Sequence, residues 1–312
     1  MKTATIAAGV VLLASGLTFD AQEQMFRGSV DLVSIDVSVT RRNAPVGGLK
    51  SEDFELLDNG VAQAATCQTT VSMPVDVSLV FDEGFGTAID FAGKFSSFPH
   101  EIAEMLRSKD RLQMISAGMT VRETVPMQSP DEIRSRDFSD IDQSSRLDNR
   151  HALDFVHDPE AGSSVFDALL FALAWPQDSH RRHIVVLFSR GADKGSVLDV
   201  AAAEPIAQRA DAVLHAVLWN QQLRVGQPAT MALPSKLSYD ALVGAARATG
   251  GDVHYSTNGV GAFKSIFDDF RQSYVLTYTL KGAAPAGWHA LAVHILRHPE
   301  YTVHARPGYA GR

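Results

Sequence analysis

The stretch VSLVFDEGFGTAID, residues 77–90, decides the fold class. Val77 to Phe81 is an apolar run broken only by Ser78. It ends at Asp82, and two glycines, Gly84 and Gly86, lead into a segment able to start a helix. A buried strand that hands an acid to a loop at a helix N-terminus is a common way to build a cation or anion site. Outward from it, residues 75–273 keep the same rhythm. VDVSLVFD, RLQMISAG, RHIVVLFS and AVLHAVLW read as buried strands. FPHEIAEMLRS, SVFDALLFALAW, VAAAEPIAQRAD, YDALVGAARATG and AFKSIFDDFRQ read as helices between or after them. Alternating strands and helices predict an α/β domain with a mostly parallel central sheet covered on both faces. In the last helix, Phe263, Ile266, Phe267 and Phe270 form one apolar stripe. The polar segment 128–160 and the loop 220–236 are expected on the surface.

Both flanks change period. VDLVSIDVSVT alternates apolar and polar residues at Val33, Ile35, Val37 and Val39, as a half-buried strand does. Asp58-Asn59-Gly60 between apolar neighbours is a hairpin signal. YVLTYTL, HALAVHILR and YTVHARPGY are three further strand-like runs. Neither flank has enough strands to bury a face alone. Residues 30–73 and 274–310 are therefore expected to form one β-sandwich, with 75–273 inserted between them.

At 312 residues and 45% hydrophobic, the chain can bury a large core. Its net charge of −8 argues against a nucleic-acid partner, whose phosphates it would repel. Arg41-Arg42 and Arg181-Arg182-His183 are too short to reverse that and read as solvated strand or loop ends. Lys2 followed by the uncharged stretch Thr3–Phe19 reads as a secretory signal, residues 1–21, with an uncleaved anchor as the alternative. The expectation is a secreted or periplasmic protein with no membrane span once the signal is removed. Cys67, the single cysteine, reads as a packed side chain rather than a nucleophile.

In VDLVSIDVSV, PVGGLKSEDFELLDNG, VDVSLVFD, AGSSVFDALLFAL, HIVVLFSRGADKGS, GGDVHYS and RQSYVLTYTL…VHARPGY, the chain resembles von Willebrand factor A-type (VWA) proteins. The likeness is to the exported form found mainly in acidobacteria, and it spans nearly everything after the signal. It implies a Rossmann-like VWA domain whose sheet top carries a divalent-metal adhesion site. That site is built as D-x-S-x-S after the first strand, a Thr before a helix and an Asp after a later strand. Here Asp82 supplies the first acid, with Glu83 beside it. Gly84 and Gly86 stand at the serine positions, Ser163 at the threonine, and Arg190 at the second acid. Even a single positive charge about 4 Å from Arg190 would be repelled by about 4 kcal/mol at a surface-like dielectric. The expectation is a degenerate site with no metal and no cofactor, in which Arg190 pairs with Asp82 or Glu83, or else with Asp193. Weak Mg²⁺ or Mn²⁺ binding through Asp82, Ser163 and Asp193 is the alternative.

Enzyme readings are thinner. GFGTAI has Ile89 where a dinucleotide loop needs its third glycine, and LFSRG has Leu187 where a nucleophile elbow around Ser189 needs its first. His289, His294, His298 and His304 lack ligand spacing and read as surface histidines. The expected function is non-catalytic binding of a protein partner. A hydrolase centred on Ser189 or Asp82 is the further alternative.

Overall fold

The computed structural model describes residues 32–42, 44–82, 97–138, 163–176, 178, 180–189, 191, 193–219, 236–282 and 286–311. The first flank contributes β1 (Leu32–Arg41), β2 (Ala44–Pro45), β3 (Phe54–Asp58), β4 (Val61–Gln63) and β5 (Ala65–Thr69). The central strands are β6 (Val75–Asp82), β7 (Arg111–Ala117), β8 (Val121–Gln128), β9 (Arg182–Ser189), β10 (Val213–Trp219) and β11 (Val253–Ser256). Among them lie α1 (Phe98–Ala103), α2 (Pro130–Ser135), α3 (Val165–Leu173), α4 (Ala203–Ala207) and α5 (Lys236–Ala248). Helix α6 (Gly259–Arg271) leads into β12 (Tyr274–Thr279), β13 (Gly287–Ile295), β14 (Thr302–Ala305) and β15 (Gly308–Gly311).

The central strands form one sheet in the order β11-β10-β9-β6-β7-β8. Four of its five pairings are parallel, and β8 closes the β7 edge antiparallel. The flanks supply two further sheets, β14-β1-β12-β5 with β2 on the edge of β1, and β15-β13-β3-β4. Both are antiparallel throughout, so over the described residues as a whole the pairing is largely antiparallel. The molecule is a mixed α/β protein.

Strand β6 is buried along its whole length, which is why it reads as a nearly unbroken apolar run. Val75, Val77, Leu79 and Phe81 face α1 and the α6 stripe Phe263, Ile266, Phe267 and Phe270. Val80 turns to the other face, where α3, α4 and α5 pack. In the flank sheets, Ile35, Val37 and Val39 of β1 meet Phe54, Leu56, Tyr274, Leu276 and Tyr278. Asn59 and Gly60 join β3 to β4 with φ of 48° and 79°, the left-handed pair a two-residue hairpin needs.

Flank and centre are tied at the end of α6. Arg271 pairs with buried Asp110, donates to the Met73 carbonyl at 2.7 Å and lies over the Phe267 ring. The Thr70 hydroxyl donates to the Phe270 carbonyl at 2.8 Å. Arg306 donates to the Gln208 and Ala210 carbonyls at 2.7 and 3.1 Å, satisfying the end of α4. These contacts hold the last turn of α6 and the end of α4.

Candidate functional site

Parallel strands deliver their C-terminal ends to one edge of the sheet, and β6 and β9 are neighbours there. Asp82 closes β6 with only 2% of its surface exposed. The hydroxyl of Ser189, the last residue of β9, donates to Asp82 Oδ2 at 2.6 Å. The Gly191 amide in turn donates to Ser189 Oγ at 2.8 Å. Gly191 has φ of 79°, a conformation a side chain would strain, and that turn aims its amide back at Ser189. The result is a relay from backbone amide to hydroxyl to buried carboxylate.

Ser163 is buried just before α3, and its carbonyl accepts from the Gly195 amide at 3.2 Å. Ser164, in the N-cap position, makes no side-chain cap to the helix. Asp193 caps α3 from outside instead. Its Oδ1 accepts from the Val165 amide at 2.8 Å and from the Ser196 hydroxyl at 2.6 Å. Ser196 Oγ accepts from the Phe166 and Asp167 amides at 3.0 and 3.1 Å. Asp167 returns the contact by accepting from the Val197 and Leu198 amides, both at 2.9 Å. Loop 193–198 and the first turn of α3 are thus reciprocally clasped. Burial pushes the Asp193 carboxyl above its ordinary value, Ser196 and the two helix amides pull it down, and the charge of Asp167 adds to the rise.

The structure therefore brings Asp82 and Ser189 together, and joins Asp193 to the helix that follows Ser163. Asp193 works as a helix cap through Oδ1, a role its reading as a metal ligand or as a partner for Arg190 did not include. A helix N-terminus with unsatisfied amides attracts the nearest carboxylate, and here that carboxylate arrives from another loop. Glu83, Gly84, Gly86 and Arg190 lie outside the described residues, and so does the expected pairing of Arg190. Sequence reasoning missed Ser196 and Asp167. The D-x-x-S spacing of Asp193 and Ser196 was the available signal.

Among the described residues, the acids that a Mg²⁺ or Mn²⁺ adhesion centre would draw on at this edge already hold hydrogen bonds. One oxygen of Asp82 is taken by Ser189, Asp193 is committed to α3, and two serine positions are glycine in the sequence. Among the described residues no three His, Cys, Asp or Glu side chains are grouped to hold a metal ion. Ser189 is fully buried, donates a hydrogen bond to Asp82 and accepts one from the Gly191 amide.

The opposite edge corrects the reading of Arg181-Arg182-His183 as solvated. Arg182 and His183 are buried in β9, and Arg181 is largely covered. Asp76 of β6, six positions before Asp82, accepts from Arg111 Nε at 2.9 Å and Arg181 Nε at 2.7 Å. Burial pushes the Asp76 carboxyl up, but the hydrogen bonds from Arg111 and Arg181 outweigh it and hold it below the usual carboxylate range. Arg182 donates from Nε to Asp36 of β1 at 2.9 Å, joining the central sheet to the flank. His183 Nε2 lies 2.7 Å from the Ser78 hydroxyl, and burial drives its pKa down to about 4.

His289 is a second correction, because it is completely buried. Its Nδ1 lies 2.8 Å from Asp58 Oδ1, its ring stacks on Tyr309, and Tyr278 donates to Asp58 Oδ2 at 2.6 Å. This knot joins β3, β12, β13 and β15 and explains why a histidine and an acid are buried among the flank strands. His294 and His304 are exposed, and His298 is half-buried. Cys67 is half-buried on β5, and burial followed by the nearby charge of Asp53 pushes its thiol up to about 11. That makes it a poor nucleophile.

No family model and no curated protein matches the sequence. Among solved structures, the conserved hypothetical protein BatB from Bacteroides thetaiotaomicron is similar at TM-score 0.42 and 12% identity, over 62% of this chain and 96% of that one. A von Willebrand factor type A protein from Catenulispora acidiphila is similar at TM-score 0.38 and 11% identity, over 91% and 75%. The manganese-loaded TRAP protein of Plasmodium vivax is similar at TM-score 0.37 and 12% identity, over 77% and 95%. Likenesses at this level identify neither a ligand nor a partner.

Proposed function

We propose that the chain is an exported, non-catalytic, VWA-type protein-binding module of the adhesion kind. Its Rossmann-like α/β portion, residues 75–273, is carried on a β-sandwich built by 30–73 and 274–310. The surface at the C-terminal strand ends, from Asp82, Glu83, Gly84 and Gly86 to Ser163, Arg190 and Asp193, meets a protein partner without a bound metal or cofactor. The observation that carries this reading is the commitment of Asp82 to Ser189 and of Asp193 to α3, which takes hard-oxygen donors out of use at that edge. In the sequence, Arg190 puts a fixed positive charge at the pattern's second acid position. No helix among the described residues is long and apolar enough to cross a membrane. The location assigned is secreted or periplasmic.

The test is calorimetric titration of the full chain with Mg²⁺ and Mn²⁺. Wild type should give no saturable binding, and the triple variant Arg190→Asp, Gly84→Ser, Gly86→Ser should gain it. Capture of a partner protein should be unaffected by EDTA and lost on Arg190→Ala. Tight Mg²⁺ binding by wild type, or EDTA-sensitive capture, overturns the proposal in favour of a metal-dependent module.

A further inference from the structure

At the other end of the central sheet, β10 and β11 run parallel with Val217 opposite His254. His215 lies two residues before Val217, so His215 and His254 share a face, the one covered by α6. Their rings meet directly, with His215 Nδ1 and His254 Nε2 3.0 Å apart. Both line a cavity of about 470 Å³ between that face, α6 and the flank strands β1 and β14, and His304 of β14 lines it too. Asp36, Asp252 and Asp269 also line it, and no lysine or arginine is among its lining residues.

We propose that this cluster is a binding site for a divalent transition-metal ion of the zinc, nickel or copper class, held by His215 and His254 with His304 as third ligand. The geometry is close to that of a two-imidazole chelate. Two nitrogens bound to tetrahedral zinc at about 2.0–2.1 Å stand about 3.3 Å apart, a few tenths of an ångström wider than the pair here. A metal ion can therefore replace the single proton the two rings share without moving either strand. His304 lines the same cavity close enough to His215 to act on its charge. In the proposed site it turns toward the pair on binding, since among the described residues no three such ligands are grouped as the chain stands. Asp36 is paired with Arg182, and the two remaining lining carboxylates, Asp252 and Asp269, favour positive charge in the cavity. Imidazole donors select zinc, nickel or copper over magnesium and calcium. The site lies away from the C-terminal strand ends and does not rest on the function proposed there.

The experiment is titration of the untagged full chain with Zn²⁺ and Ni²⁺ by calorimetry, with Co²⁺ absorption reporting imidazole ligation. One ion per chain is expected. His254→Gln should weaken binding at least tenfold and His304→Ala several-fold, while His294→Ala and His298→Ala should leave it unchanged. Circular dichroism establishes that each variant is folded, and His304→Ala, on an exposed position, keeps the test open if His254→Gln is not. No saturable binding at one equivalent, or binding undiminished in folded His254→Gln or His304→Ala, overturns the proposal. The pair is then a hydrogen bond between two packed histidines.

Discussion

Strand β6 carries an acid near each end, and the two are held differently. Asp76, near the N-terminal end, is 3% exposed and meets two guanidinium groups. Asp82, at the C-terminal end, is 2% exposed and is held in part by a neutral hydroxyl whose oxygen is itself fixed by a backbone amide. The N-terminal end continues into further ion pairs, Arg182 with Asp36 and Arg271 with Asp110, that fasten the flank and α6 to the sheet. The C-terminal end continues into a clasp of carboxylates, hydroxyls and helix amides around α3. Burial alone therefore does not mark a functional acid. What surrounds it separates an acid that locks elements together from one that shapes a surface.

The sharpest way to break this contrast is Asp110→Ala. Asp110 accepts the Val75 and Arg107 amides at 2.9 and 2.8 Å as well as Arg271, so its loss leaves a nearly buried guanidinium without its acid. Urea denaturation should show a loss of about 3–5 kcal/mol. A loss below about 1 kcal/mol would mean the N-terminal edge is no charge lock.

Acid titration of stability comes next. Free histidine titrates near 6.5, while buried His183 titrates at about 4. Between these values the unfolded chain takes up a proton that the folded chain refuses. His183 by itself should contribute a fall of about 3 kcal/mol as pH drops from about 6.5 to 4 and nothing further below that. Buried His215, lowered to about 3, and His254, also lowered, add their own losses in acid. His183→Gln should remove the His183 share and leave that of the other two. The part contributed by Asp76, present above the ordinary carboxylate pKa, is lost only at still lower pH.

At the C-terminal end, Ser189→Ala should cost about 1–3 kcal/mol by removing a donor to a buried carboxylate and the acceptor for the Gly191 amide. If the variant instead keeps its stability and loses only partner binding, Ser189 belongs to the binding surface and the contrast sharpens. Asp193→Ala should cost least, about 0.5–2 kcal/mol, the size of a lost helix cap. Amide exchange should rise at Val165 and Phe166 and leave β6 unchanged.

Elements with a strong local signal are legible in the amino-acid sequence itself. The apolar run of β6, the 3.6-residue stripe of α6, the Asn59-Gly60 turn and the alternation in β1 all follow from patterns within about a dozen residues, where backbone geometry dictates side-chain direction. The glycines at 84 and 86 and the arginine at 190 are legible too, because they depart from a metal-binding pattern at positions the chain itself spells out.

What only the tertiary structure decided is which charges meet. Asp76 and Arg111 are 35 residues apart, Asp76 and Arg181 are 105, and Asp36 and Arg182 are 146. Strand register makes them neighbours, and no local pattern carries that information. Arg182 and His183 therefore read as surface from sequence and are core in the fold, as His289 is beside Asp58. Asp193 reads as a candidate ligand because acids at strand ends often are, and only the fold shows that its Oδ1 caps α3. Local periodicity determined the elements. Long-range pairing decided what each buried polar group is for, because desolvation forces such a group onto whatever partner the fold brings within reach.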